Sequence, residues 1–156
     1  MKAKETINLF TSNLAEIEIH YRNKVRISDM QKVAGSRDVY DVLGRIWSPK
    51  IDHVEEFLIL CLNRANRVLG WAKVSQRGLS GTVADPKVIF QIALKSNACS
   101  IIIAHNHPSG NLTPSEADIH LTRKLKEAGT LLDLPVLDHL IISSEGFYSF
   151  ADEGLI

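Results

Sequence analysis

The sequence predicts an α/β domain in which helices pack on a mixed sheet, and three observations carry that expectation. Glu55 to Leu62 (E-E-F-L-I-L-C-L) and Ser100 to Ala104 (S-I-I-I-A) are short apolar runs that read as buried strands, the first with apolar residues at both parities, as in a strand covered on both faces. Asp85-Pro86 and Thr113-Pro114-Ser115-Glu116 carry the chemistry of helix starts. From His53 onward strand-like and helix-like segments succeed one another, with no repeat or low-complexity tract between them.

Residues 1–50 read as a lead-in and residues 51–156 as the domain proper, with no Gly/Ser linker dividing them. In the lead-in, Ala15 to Tyr21 alternates apolar and polar residues, a half-buried strand signal. Ser28-Asp29 and Asp38, the latter followed by Val39-Tyr40-Asp41-Val42-Leu43, suggest two short helices ending near Trp47 and stopped by Ser48-Pro49. Glu55 to Leu62 is expected to be a central strand, Asn63-Arg64-Ala65-Asn66 a turn, and Arg67 to Val74 the next strand. Asp85 caps a helix with Pro86 at its first position, running through Val88, Ile89, Ile92 and Ala93 to about Asn97. The strand Ser100 to Ala104 ends at His105, and the loop His105 to Leu112 leads to a capping box at Thr113 and Glu116 with Pro114 as the first helical residue. Leu121, Leu125, Ala128 and Leu132 form the inward stripe of that helix, and Val136 to Ile142 and Phe147 to Phe150 read as closing strands.

Composition narrows the function classes. The 156 residues are 45% hydrophobic, enough for one domain with a real core. Eighteen basic and eighteen acidic side chains cancel, which leaves no global positive field for a phosphate backbone, so nucleic acid is not the default partner. No apolar run reaches the roughly eighteen residues of a membrane span, and Met1-Lys2-Ala3-Lys4-Glu5 lacks a secretory apolar segment. The expectation is a cytoplasmic protein without a membrane partner. Cys61 and Cys99 sit inside apolar runs and read as small buried hydrophobes, not as a disulfide or metal ligands.

The chemistry gathers near the third strand. His105 and His107 are two apart at its exit, so extended geometry turns both rings to one side, where they can meet one ion. Asp118 lies three residues before Leu121 and seven before Leu125, in line with the inward helix stripe. A carboxylate there is costly unless compensated, and a metal held by two nearby histidines would compensate it. Ser115, three residues before Asp118, shares its face and stands on the substrate side. Two nitrogens and one oxygen leave a fourth tetrahedral position for water, the arrangement of a catalytic zinc site, and zinc would bring that water's pKa to roughly 7. Such a site needs a general base. Glu55 and Glu56 are both available on the central strand, they project to opposite faces, and spacing does not choose between them.

His-x-His, seven residues, Ser, two residues, Asp, with an upstream Glu, resembles the JAMM or MPN+ metalloprotease motif. His105-Asn106-His107-Pro108-Ser109-Gly110, Pro114-Ser115-Glu116-Ala117-Asp118 and Leu137-Asp138-His139-Leu140-Ile141-Ile142 are similar to the bacterial RadC branch, over residues 50–156. The resemblance implies a cytidine-deaminase-like three-layer α/β fold with a mixed central sheet (the JAB/MPN domain). It implies one zinc ion on His105, His107 and Asp118, and hydrolysis of a peptide or isopeptide bond in a protein or peptide substrate. Matching the Glu-x-Phe of RadC-like chains selects Glu55, two residues before Phe57, as the base, and Ser115 would stabilise the oxyanion. Deubiquitinating members usually carry Ser or Thr between the histidines; Asn106 stands here, as in RadC-like proteins, which points away from a ubiquitin-like substrate. RadC-like chains often carry an N-terminal helix-hairpin-helix DNA-binding region and a DNA-repair label, and residues 1–50 hold no G-x-G hairpin signature.

A second class of function is a metal-stabilised interaction module acting with DNA-repair or mobile-element proteins without catalysis; the base and the open coordination position argue for the hydrolase. A zinc nuclease or deaminase fits less well, because Cys-x-x-Cys is absent and the charge is neutral. Asp138 and His139 read as a hydrogen-bonded structural pair outside the site, with one of them facing inward. His20, His53 and His120 read as solvated or half-buried, Pro108-Ser109-Gly110 as a shaped turn, and Ser80-Gly81-Thr82 equally as cleft lining or plain loop. Neither the substrate nor the oligomeric state has a signature among these residues.

Overall fold

The computed structural model describes residues 15, 20–77 and 84–156. The expected strand over Ala15 to Tyr21 lies outside them except for its ends, and Ser80-Gly81-Thr82 lies outside them altogether. Where the first short helix is expected there is a single 3-10 turn, Ile27–Asp29, after which Lys32 bridges to Arg67. Helix α1 spans Ser36–Ile46 and buries Val39, Val42 and Leu43, the three- and four-residue spacing of one helix face. It starts two residues before Asp38 because that carboxylate works inside the first turn, accepting from the Ala34 N–H at 2.8 Å. It ends before Pro49, as the proline requires.

Strands β1 (Glu55–Leu62) and β2 (Val68–Arg77) form a hairpin. Its turn is built by Asn63, whose Oδ1 accepts from the N–H groups of Ala65 and Arg67, and by Asn66 at φ 55, a left-handed conformation that asparagine tolerates. Helix α2 (Pro86–Lys95) is capped by Asp85 as its sequence demands, and Asn97 at φ 54 closes it earlier than expected. Strand β3 runs Ser100–Asn106, two residues past the expected end, since His105 pairs with Phe57 and Asn106 with Ile142. Strands β4 (Val136–Ile142) and β5 (Phe147–Ser149) complete the sheet in the order β2-β1-β3-β4-β5, with β3 and β4 parallel and the other pairs antiparallel.

The sheet is the middle of three layers. On one face Leu60, Leu62, Ile102, Ala104, Leu140 and Ile142 pack with Val39, Val42 and Leu43 of α1. On the other, Phe57, Ile59, Cys61, Ile101 and Ile103 pack with Ile89, Phe90 and Ala93 of α2 and with Leu125 of the last helix. That helix, α3 (Glu116–Leu131), connects the parallel pair β3 and β4, so its N-terminus lies just beyond the carboxyl end of β3.

The start of α3 differs from the expectation. Ser115, not Thr113, is the N-cap: its Oγ accepts from the Asp118 N–H, while Asp118 Oδ2 accepts from the Ser115 N–H at 2.7 Å. Asp118 completes the reciprocal box with a second 2.7 Å bond, from the Ser115 hydroxyl, and so displaces the Thr113 and Glu116 pairing; Pro114 precedes the cap. Leu125 is buried, and Leu121 and Ala128 pack on the core, whereas Leu132 is the C-cap and 43% exposed.

Gly129 marks where α3 meets the chain entering β4, since a Cβ there would stand 2.5 Å from the Leu134 carbonyl oxygen. Backbone cannot yield as a side-chain tip does, so Gly129→Ala is expected to lower unfolding stability by about 1–3 kcal/mol. Gly44, inside α1 with open space around its Cβ position, provides the opposite sign: Gly44→Ala should gain about 0.5–1 kcal/mol. Denaturant melts of the two variants check both signs.

Candidate metal centre

The end of β3 and the first turn of α3 bring His105, His107 and Asp118 together, with one ligand atom from each lying within 4.8 Å of the others. His105 is 2% exposed and stacks on Phe57, its cross-strand partner, at a ring separation of 5.9 Å. His107 lies beyond the strand end on the same side and is held by its backbone N–H, which donates to the Ile142 carbonyl at 3.1 Å. Its Nδ1 lies 2.5 Å from the Asn111 carbonyl oxygen, which can only accept, so the ring carries hydrogen there and presents Nε2 to the site. The Nε2 atoms of His105 and His107 are 3.0 Å apart, and they stand 3.2 Å and 3.7 Å from the two carboxylate oxygens of Asp118.

Two ring nitrogens and a carboxylate facing one point repel one another unless positive charge sits between them. A proton shared with Asp118 can supply it in part, and a cation can supply it fully. Hydrogen bonding to Asp118 accordingly holds the His107 pKa above its ordinary value, with burial opposing. Burial pushes the Asp118 carboxyl up, but hydrogen bonds with His105 and His107 outweigh it and hold the group well below the usual carboxylate range. The α3 dipole also favours an anion at this position, yet at roughly 0.3–1 kcal/mol it is smaller than the several kcal/mol that desolvating a carboxylate costs. The cluster therefore suits a divalent cation: neutral imidazole nitrogens and a carboxylate are the donors zinc takes, and three of them leave a position open.

The two glutamates separate by face. Glu55 shares parity with Phe57, which lies opposite His105, and its charge contributes to raising the His107 pKa. Glu56 points to the other side, 1% exposed, paired with Lys73 and accepting from the Ser48 hydroxyl at 2.8 Å. Asn106, between the histidines, also faces away. Its Oδ1 accepts from the Glu56 N–H at 2.7 Å and its Nδ2 donates to the carbonyls of Ile51 and Val54, fastening the approach to β1 against β3. Ser115 is exposed beside Asp118, with its hydroxyl hydrogen directed at Asp118 Oδ2.

His20, His53 and His120 are exposed, and Cys61 and Cys99 are free thiols, the first buried. Asp138 and His139 are both buried, on opposite faces of a sheet that is covered on both sides. Asp138 binds Ser149 Oγ and the Ala151 N–H, whereas His139 lies directly behind the ligands, its Nε2 2.8 Å from His105 Nδ1. The sequence carries one signal for that placement, the parity His139 shares with Ile141, but its contact with His105 depends on β3 and β4 being neighbours. Among the described residues no helix is long and apolar enough to cross a membrane.

Comparison with known proteins agrees with this geometry. The family model of the RadC-like JAB domain matches residues 33–155. The chain is 40% identical over 145 residues to a UPF0758 protein of Flavobacterium johnsoniae, covering 92% of this chain and 62% of that one. It is 36% identical to a UPF0758 protein of Chlorobaculum parvum (91% and 63%) and 46% identical over a shorter stretch to one of Porphyromonas gingivalis (65% and 45%). The chain thus spans less than two thirds of the length of each of these relatives.

Protein purified without added metal should contain close to one equivalent of a divalent metal by elemental analysis, and His107→Ala and Asp118→Ala should each lose it. Because His107 holds its proton above the usual imidazole pKa of 6.5, metal must displace that proton, so affinity should rise with pH through the His107 titration. Calorimetry in buffers of different ionisation enthalpy reads the released proton directly.

Proposed function

Because the chain belongs to the RadC-like JAB domain family, we propose that it is a zinc-dependent hydrolase that cleaves a peptide or isopeptide bond. The family includes metalloproteases. The observation that carries the reading is the convergence of two histidine Nε2 atoms and the Asp118 carboxylate beside a glutamate of the adjacent strand.

His105, His107 and Asp118 would hold the ion. When bound, zinc supplies Lewis acidity, which activates water and polarises a carbonyl. Glu55 is the proton carrier in this reading. It is half-buried on the face that the histidines occupy, so its carboxylate can take a proton from water and hand it to the leaving amine. Glu56 cannot substitute, being committed to Lys73 and Ser48 on the opposite face. Ser115 is the oxyanion donor: its exposed hydroxyl turns its hydrogen from Asp118 Oδ2 toward the developing negative charge.

The roles predict different losses. Glu55→Gln should keep its zinc and lose about 10²- to 10⁴-fold in hydrolysis on any substrate the wild type cleaves, found by screening peptide and isopeptide-linked conjugates. Ser115→Ala should lose about 10²- to 10³-fold and also about 1 kcal/mol of stability, since the same oxygen caps α3. Hydrolysis by Glu55→Gln at the wild-type rate would remove the base from the mechanism. DNA or protein binding that survives both substitutions, in a protein that cleaves nothing, would instead favour a non-catalytic interaction module.

A further inference from the structure

Behind the ligands runs a chain of hydrogen bonds whose direction can be worked out atom by atom. Thr122 Oγ1 lies 2.6 Å from the Asp118 backbone carbonyl oxygen and 2.6 Å from His139 Nδ1, and His139 Nε2 lies 2.8 Å from His105 Nδ1. Thr122 and His139 are 1% and 0% exposed, so these bonds are shut off from solvent. His139 is fixed in its plane by stacking on Phe150, at 4.7 Å and 12°.

Two oxygens 2.6 Å apart need a hydrogen between them, and a peptide carbonyl has none to give. The Thr122 hydroxyl therefore donates to the Asp118 carbonyl. Its one hydrogen is then committed, so Oγ1 can only accept from His139, which must carry its hydrogen on Nδ1. His139 is fully buried and neither atom that its ring nitrogens meet belongs to a carboxylate, so a second proton would leave an uncompensated charge in the interior. Its Nε2 is thus a lone pair, and it accepts from the Nδ1–H of His105. With that hydrogen on Nδ1, Nε2 is the ring nitrogen that His105 leaves to a cation standing between His107 and Asp118.

We propose that Thr122 and His139 are positioning residues that fix His105 in the Nδ1–H tautomer, so that its Nε2 faces the metal position as a lone pair. The chain starts at the backbone of one ligand residue, Asp118, crosses to β4, and ends on the ring of another, His105, so it also ties α3 to β3 behind the ion. The inference rests on the metal reading of the site and assigns work to two residues outside the ligand set. Without the Thr122 hydroxyl, the buried His139 Nδ1–H has no acceptor, and a bare ring nitrogen is the cheaper state there. His139 then carries its hydrogen on Nε2 and donates to His105, which must move its own hydrogen to Nε2, into the place of the metal.

The test uses the full chain with Thr122→Val, Thr122→Ser and His139→Phe, zinc affinity by chelator competition, and histidine tautomers by long-range ¹H–¹⁵N correlation. The expected result is zinc binding about 10- to 100-fold weaker in Thr122→Val, restored in Thr122→Ser, with His139 in the Nδ1–H form in wild type and moved to Nε2–H in Thr122→Val. His139→Phe keeps the ring stacking but breaks the chain, and is expected to weaken binding as Thr122→Val does. Wild-type affinity in Thr122→Val, or His139 protonated on Nε2 in the wild type, would overturn the proposal. Should the wild type take no zinc, the metal reading fails separately. The His139 tautomer of the metal-free protein then decides this proposal, Nδ1–H supporting it and Nε2–H ending it.

Discussion

The antiparallel register of β1 on β3 is the constraint on which the rest of the site depends. It sets Phe57 opposite His105 and so places Glu55 on the face of the two histidines and Glu56 on the other. Side chains alternate along a strand, so a slip of β1 by one residue against β3 would put Glu56 in place of Glu55 on the face of the histidines. Buried apolar side chains on both faces of β1 and β3 oppose such a slip, since two hydrophobic layers would have to be rebuilt at once. Asn106 adds a polar lock. Its amide satisfies three backbone groups around the start of β1, and no neighbouring position on β3 could reach them from that face. The residue between the histidines thus acts on the backbone of the layer behind the site.

Much of this was legible in the sequence because the signals were local. Proline after aspartate announced α2, the apolar runs announced β1 and β3, and the two-residue spacing of the histidines together with the helix position of Asp118 brought the three ligands to one place. The start of α3 was misplaced because two capping boxes compete there, and the choice depends on a carboxylate that also serves the metal cluster. The choice between Glu55 and Glu56 lay beyond spacing, since it depends on which face of β1 the histidines share. His139 was overlooked for a related reason. A strand buried on both faces hides the usual contrast between inward and outward residues, and nothing near residue 139 signals that residue 105 lies across from it.

Charge explains why so polar a group persists inside an apolar fold. His105, His107, His139 and Asp118 occupy a region otherwise lined by Phe57 and Phe150, where a lone ionised group would be costly. Each polar atom of the ligand cluster has a partner, and the one place where like groups confront one another is the point between the Nε2 atoms. That confrontation makes the metal-free cluster a poor resting arrangement and a good receptor for a cation. The protein concentrates these unfavourable electrostatics at one point, where a single ion would relieve them.

The path of the chain between the ligands carries a consequence for how the domain opens. His107 and Asp118 bracket an exposed loop and the first turn of α3, a stretch held at its tip mainly by short-range turn bonds of His107, Ser109 and Asn111. Left to itself, such a stretch belongs to the part of a protein that exchanges its amide hydrogens by small local openings. An ion gripping both ends closes that stretch into a ring, and opening the ring then means surrendering the ion. The first turn of α3 would pass from a locally capped helix end into the cooperative unit of the sheet, with its amide protection set by metal occupancy and no longer by its own hydrogen bonds alone.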